Sequence, residues 1–154
     1  MTVSLLSSLL NHLTGCDKSY EELDPLRSLA KSISSTWELR VLNNTISTRW
    51  DEDAEPEATL ALCKEVQKLA EEMETKKEIT DVNETVVRQT LNNAGAFDLF
   101  KEKIEDGGAI LKYALKLSDN RGIQINANVT SSNTLSSIAS ILLKQDQPVA
   151  CEGL

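Results

Sequence analysis

The chain has 154 residues, 40% hydrophobic and 26% charged, which suits one domain with a real core and excludes a disordered chain. Aromatics make up only 4%, too few for a platform that stacks single-stranded nucleic acid, and the core is left to Leu, Ile, Val and Ala, which favours helices. The net charge of -8 argues against a phosphate-holding surface and against tight binding to duplex DNA.

The acidic excess is local. Residues 1–50 hold five acids and five bases, and residues 86–154 hold seven of each. Residues 51–85 hold twelve acids and four bases, so they carry all of it. Such a run is either a solvated helix face with an acidic loop, or a docking face for a basic partner.

In chain order, Val3, Leu5, Leu6, Leu9, Leu10 and Leu13 form a first helical stripe, ended by Gly15. Leu13-Thr14-Gly15-Cys16 resembles the lipobox of a bacterial lipoprotein signal, which would imply lipidation at Cys16. The first fifteen residues contain no Lys or Arg, and Asn11 and His12 interrupt the apolar run, so a cytoplasmic chain is the stronger reading. No segment is long and apolar enough to span a bilayer. Cys16, Cys63 and Cys151 are an odd number and lie far apart, which suggests neither a disulfide framework nor a zinc site. Cys63 reads as a small core residue in a reducing compartment.

Asp24-Pro25 has the form of a helix start, and Leu26, Leu29, Ala30, Ile33, Trp37 and Val41 continue as one stripe. A rival reading folds residues 36–50 as a β-hairpin around Asn43-Asn44, with Trp37 facing Trp50 and Glu38 facing Arg49. The unbroken stripe favours the helix. Residues 51–57 form an acidic connector. Its calcium-loop spacing fails, because Pro56 stands where glycine is needed and Leu62 where a carboxylate is needed. Pro56 instead opens a helix of about twenty residues with a seam of Leu62, Val66, Leu69 and Met73.

Asp81 or Asn83 caps the next helix, whose inner face is Val86, Val87 and Leu91, and Asn92-Asn93-Ala94-Gly95 is read as its end. Phe97, Phe100 and Ile104 line a short helix that Gly107-Gly108 would stop. The pair at 84–105 has the outline of a helix-turn-helix, but Asp98, Glu102 and Glu105 offset Lys101 and Lys103. An ordinary αα-hairpin fits better. Residues 107–118 spread Ile110, Leu111, Ala114, Leu115 and Leu117 around most of a helix, with Lys112 and Lys116 marking its outer edge; this predicts the central core helix. Ile123, Ile125, Ala127 and Val129 alternate with amides and predict a strand near 122–129. Ser131 to Asn133 cap a last helix carrying Leu135, Ile138, Ala139 and Leu142.

The expectation is a mainly α, compact multi-helix domain over 1–144 with a minor β element, and a loose tail over 145–154. His12 is the sole histidine, no phosphate loop is present, and carboxylate pairs in a solvated run are poorly placed for acid catalysis. The function expected is therefore non-enzymatic: a protein-interaction or assembly subunit, free to self-associate, without cofactor or metal. Its expected contact residues for a basic protein partner are Glu55, Glu57, Glu65, Glu71, Glu72 and Glu74. The alternatives are a nucleic-acid-associated regulator using 84–105, or an acidic inhibitor that occupies a basic site on another protein.

Overall fold

The computed structural model describes residues 23–120 apart from residue 53, together with Ser136 and Ala139. Five helices follow one another: α1 (Leu23–Ile33), α2 (Ser35–Asp51), α3 (Pro56–Thr75), α4 (Glu84–Phe100) and α5 (Ile104–Asn120). The domain is mainly helical, as expected, and no strand occurs among the described residues. The strand near 122–129, the stripe of residues 3–13, Cys16, the last helix as a whole and the 145–154 tail lie outside the described residues.

The hairpin alternative at 36–50 is overturned, because those residues lie in α2. Their weak helix formers are overruled by burial on two sides. Leu39, Leu42 and Ile46 enter the main core, while Val41 packs with Leu26 and Ala30 of α1. The buried Thr45 hydroxyl donates to the Val41 carbonyl at 2.8 Å, so this β-former leaves no polar atom unpaired. Asn43, expected in a turn, accepts from Asn93 Nδ2 of α4 at 2.7 Å.

The unbroken stripe from Leu26 is also corrected. Ser34 is extended, with φ -168° and ψ 158°, and splits it into α1 and α2. Its hydroxyl accepts from the Trp37 N–H at 3.3 Å, an N-cap that satisfies one free donor of α2. Arg27 of α1 then ties across the break to Glu38 of α2 at 3.2 Å.

Helix α3 starts at Pro56 and runs 20 residues, as read from the sequence. Its buried positions are Thr59, Leu60, Cys63, Val66, Ala70 and Met73, with Leu62 and Leu69 half-buried beside them. The expected seam is thus real at Val66 and Met73 but rotated, and Cys63 is fully buried. After α3, Lys77 takes a left-handed φ of 57° and the Glu78 N–H reaches back to the Met73 carbonyl at 2.8 Å. Asn83 precedes α4 without a side-chain cap bond. It staples the connector instead: its Oδ1 accepts from the Thr80 N–H at 2.8 Å, and its Nδ2 donates to the Glu78 carbonyl at 2.9 Å and to Thr36 Oγ1 at 3.0 Å.

Helix α4 is the hub. It packs against α2, α3 and α5, whereas α5, the expected centre, packs chiefly on α4. Two expected stops are wrong. Gly95 lies inside α4, and Gly107-Gly108 lies inside α5. The chain turns at Glu102, left-handed at φ 61°, with the Lys103 N–H bonded to the Asp98 carbonyl at 2.8 Å. Within α5, Ile110, Leu111, Ala114 and Leu117 are buried and Lys112 and Lys116 exposed, as the pattern predicts; Leu115 is only half-buried.

Candidate functional site

All five glutamates of α3, Glu57, Glu65, Glu71, Glu72 and Glu74, are exposed, and so is Glu55 at its start. Burial of the opposite side of α3 forces this. With Cys63, Val66, Ala70 and Met73 turned inward, the charged positions between them must face water.

They do not form one uniform patch. Glu65 pairs with Arg27 of α1, and Glu74 accepts the Tyr113 hydroxyl of α5 at 2.7 Å, so these two lean to different flanks of α3. Burial first, then the hydrogen bond and charge of Glu74, push the Tyr113 phenol above its ordinary range. Glu55 stands 3.5 Å from Arg49 Nη2. Glu71 accepts from Gln67 Nε2 at 2.9 Å, one turn back on the same helix. Glu72 is exposed on the same last turns. The exposed Lys64 and Lys68 interleave with the acids, so α3 presents five carboxylates against two ammonium groups.

Glu57 opens onto a cleft. A cleft of about 300 Å³ lies between the first half of α3 and the α4–α5 turn, lined by Glu57, Leu60, Ala61, Lys64, Asp98, Lys103 and Asp106. Lys64 and Asp106 meet across it at 3.5 Å, and both are well exposed. Asp98 is different, being only 1% exposed. Apart from the Cys63 thiol, a weak donor beside it, neither of its carboxylate oxygens has a hydrogen-bond partner. Burial pushes it up to about 6; the neighbouring Cys63 thiol and Lys64 pull it down and Asp106 pushes it further up. The Cys63 thiol is pushed far above its ordinary range, by burial first and then by the Asp98 charge.

Asp98 is the residue that sequence reasoning missed. In the sequence it reads only as an acid opposing Lys101 and Lys103. The available signal was spacing: Leu91 and Ala94 precede it by seven and four residues, so it continues an apolar helical face.

The helix pair sought at 84–105 is not formed, because residues 84–100 are one helix and the turn comes at 101–103. The αα-hairpin expected within the same residues is not formed either; the hairpin present pairs the whole of α4 with α5. Among the described residues no group of three or more His, Cys, Asp and Glu side chains is placed to hold a metal ion, and no helix is long and apolar enough to cross a membrane. No family model, curated protein or solved structure matches the chain.

Proposed function

We propose that the protein is a non-enzymatic interaction module that docks a basic protein through the exposed side of α3. The observation that carries this reading is that every carboxylate of α3 stands on its solvent side, five against two lysines, within the 51–85 stretch that carries the chain's excess negative charge. Clustering costs stability, because like charges on neighbouring turns repel by about 0.2–0.5 kcal/mol per pair. A basic partner offsets that repulsion and gains steering from it. Glu57, Glu71 and Glu72 are the strongest contacts of the six, since none of them meets a cation among the ion pairs described. Glu55 and Glu65 each already face an arginine, and Glu74 a tyrosine hydroxyl.

The test compares two charge reversals of equal size. Glu71→Lys with Glu72→Lys alters the α3 face, and Glu102→Lys with Glu105→Lys alters exposed acids at the α4–α5 turn. Association with lysine- and arginine-rich peptides is followed by stopped-flow at low salt. The α3 pair should slow association several-fold more than the control pair. Equal slowing would mean that only net charge matters, and α3 would then be a solvated face.

A further inference from the structure

The cleft beside α3 contains an electrostatic imbalance. Asp98 is 1% exposed, and beyond the weakly donating Cys63 thiol neither carboxylate oxygen has a partner. Folded proteins pair nearly all such atoms, because a buried acceptor left alone keeps its full desolvation cost. At neutral pH a group pushed up to about 6 is still mostly ionised. Of the charges around it, Lys64 acts on Asp98 but also pairs with the exposed Asp106 at 3.5 Å. The lining sets three carboxylates, Glu57, Asp98 and Asp106, against two ammonium groups, Lys64 and Lys103. The cleft is one cation short. Leu60 and Ala61 give it an apolar wall. A volume of about 300 Å³ is small for a ligand site but admits one long side chain.

We propose that this cleft seats one cationic side chain, an arginine or lysine of a protein partner, with its head group donating to Asp98 and Glu57 and its methylene stem lying on Leu60 and Ala61. Long basic side chains divide in this way between an apolar stem and a polar head. The partner is a protein because Glu57 belongs both to the cleft and to the exposed acidic side of α3, so one basic surface covers both. The inference rests on the docking reading above and names its anchor. The rim residues Lys64 and Lys103 are exposed, and exposed rotamers change within nanoseconds, so the rim can rearrange around an entering side chain.

The experiment titrates the full chain with a capped Ala-Arg-Ala peptide and follows backbone amide NMR shifts. Capped Ala-citrulline-Ala is the uncharged control, and butylguanidine is the free small-molecule control. Saturable shifts at Cys63, Lys64, Asp98 and Lys103 are expected with the arginine peptide and not with the citrulline peptide. Asp98→Asn should weaken binding by about tenfold or more, the loss of one charge-assisted bond. That variant removes a buried charge, so it should fold, and its melting curve checks this. Glu57→Gln should weaken binding less. Equal binding by Asp98→Asn, or no saturable shift with any cation, overturns the proposal. Butylguanidine binding more tightly than the peptide overturns the assignment to a protein partner. The Glu71→Lys, Glu72→Lys pair should leave this titration unchanged, so the cleft and the wider α3 face fail or stand separately.

Discussion

Gly107 of α5 lies directly against Gly95 of α4: a Cβ added at Gly107 would stand 2.8 Å from the Gly95 carbonyl oxygen. At that crossing the two helix backbones touch, which is why α4 and α5 pack so closely. A backbone oxygen cannot swing aside as a side-chain tip can. The Gly107→Ala variant therefore separates two effects. In a helix interior alanine is favoured over glycine by roughly 0.5–1 kcal/mol. The clash opposes this, since forced backbone shifts cost about 1–3 kcal/mol. The clash should win, and urea unfolding should show a net loss of stability. A gain would mean that the crossing is looser than described.

The same crossing gives a prediction about coupling. A Cβ at Gly95 would meet Leu111 Cγ at 2.7 Å and Cδ2 at 2.9 Å, whereas Leu111 itself is fully buried against Leu99, Ile104 and Leu115. Leu111→Ala alone should cost about 2–5 kcal/mol through lost contacts and a cavity. Gly95→Ala alone should also destabilise. Together they should cost less than the sum by about 0.5–3 kcal/mol, because the new methyl enters the space that the leucine leaves. A double-mutant cycle by chemical denaturation measures this. Strict additivity would show that the two positions do not meet.

These glycines also show why the outline was legible and the connections were not. Periodicity placed Ile110, Leu111, Ala114 and Leu117 inside and Lys112 and Lys116 outside, and Pro56 marked the start of α3. Those signals depend on one helix at a time. A glycine has two uses, as a left-handed stop and as a place of close approach, and only the partner helix distinguishes them. Here the left-handed positions fall on Glu55, Lys77 and Glu102, which carry no such signature, and Gly95 and Gly107 serve packing. The break at Ser34 was hidden because Leu26, Ala30 and Val41 remain in phase across it and share one cluster. The candidate site was legible only in part. Charge clustering on α3 can be read from composition, but the cleft needs α3, α4 and α5 brought together, and Asp98 looks like any surface acid until its neighbours are known.

Cys63 should behave as an inert thiol. It is fully buried, and burial together with the Asp98 charge holds it in the protonated form, whereas the thiolate is the reactive species. In a chain carrying Cys16→Ser and Cys151→Ser, labelling of Cys63 by a disulfide reagent should be limited by opening of the fold. Its rate should rise with urea in step with global unfolding. Rapid labelling in native buffer would place the thiol within reach of the cleft.

Asp98 should make the protein less stable as the pH rises through the mildly acidic range. Its carboxyl sits at about 6 in the fold against 3.8 for the free group. Below about 4 the group is protonated in both folded and unfolded chains and costs nothing. Between 4 and 6 the unfolded chain ionises first, which favours unfolding. Above 6 both states are ionised and the loss is complete. A shift of this size corresponds to at most about 3 kcal/mol, reduced by whatever screening reaches the cleft. Other carboxylates titrate in the same window, so the measurement is a difference. Unfolding free energies of the parent and of Asp98→Asn are compared from pH 3.5 to 7.5. The variant should gain relative to the parent by roughly 1–3 kcal/mol at neutral pH, with the gain developing between pH 4 and 6 and flat on either side. The sign follows from burial, which outweighs the weak Cys63 thiol bond to the carboxylate, and asparagine has no charge to desolvate. A variant that is instead destabilised at pH 7 would show that the Asp98 carboxylate is paired within the folded chain, and the cleft would then have no missing cation.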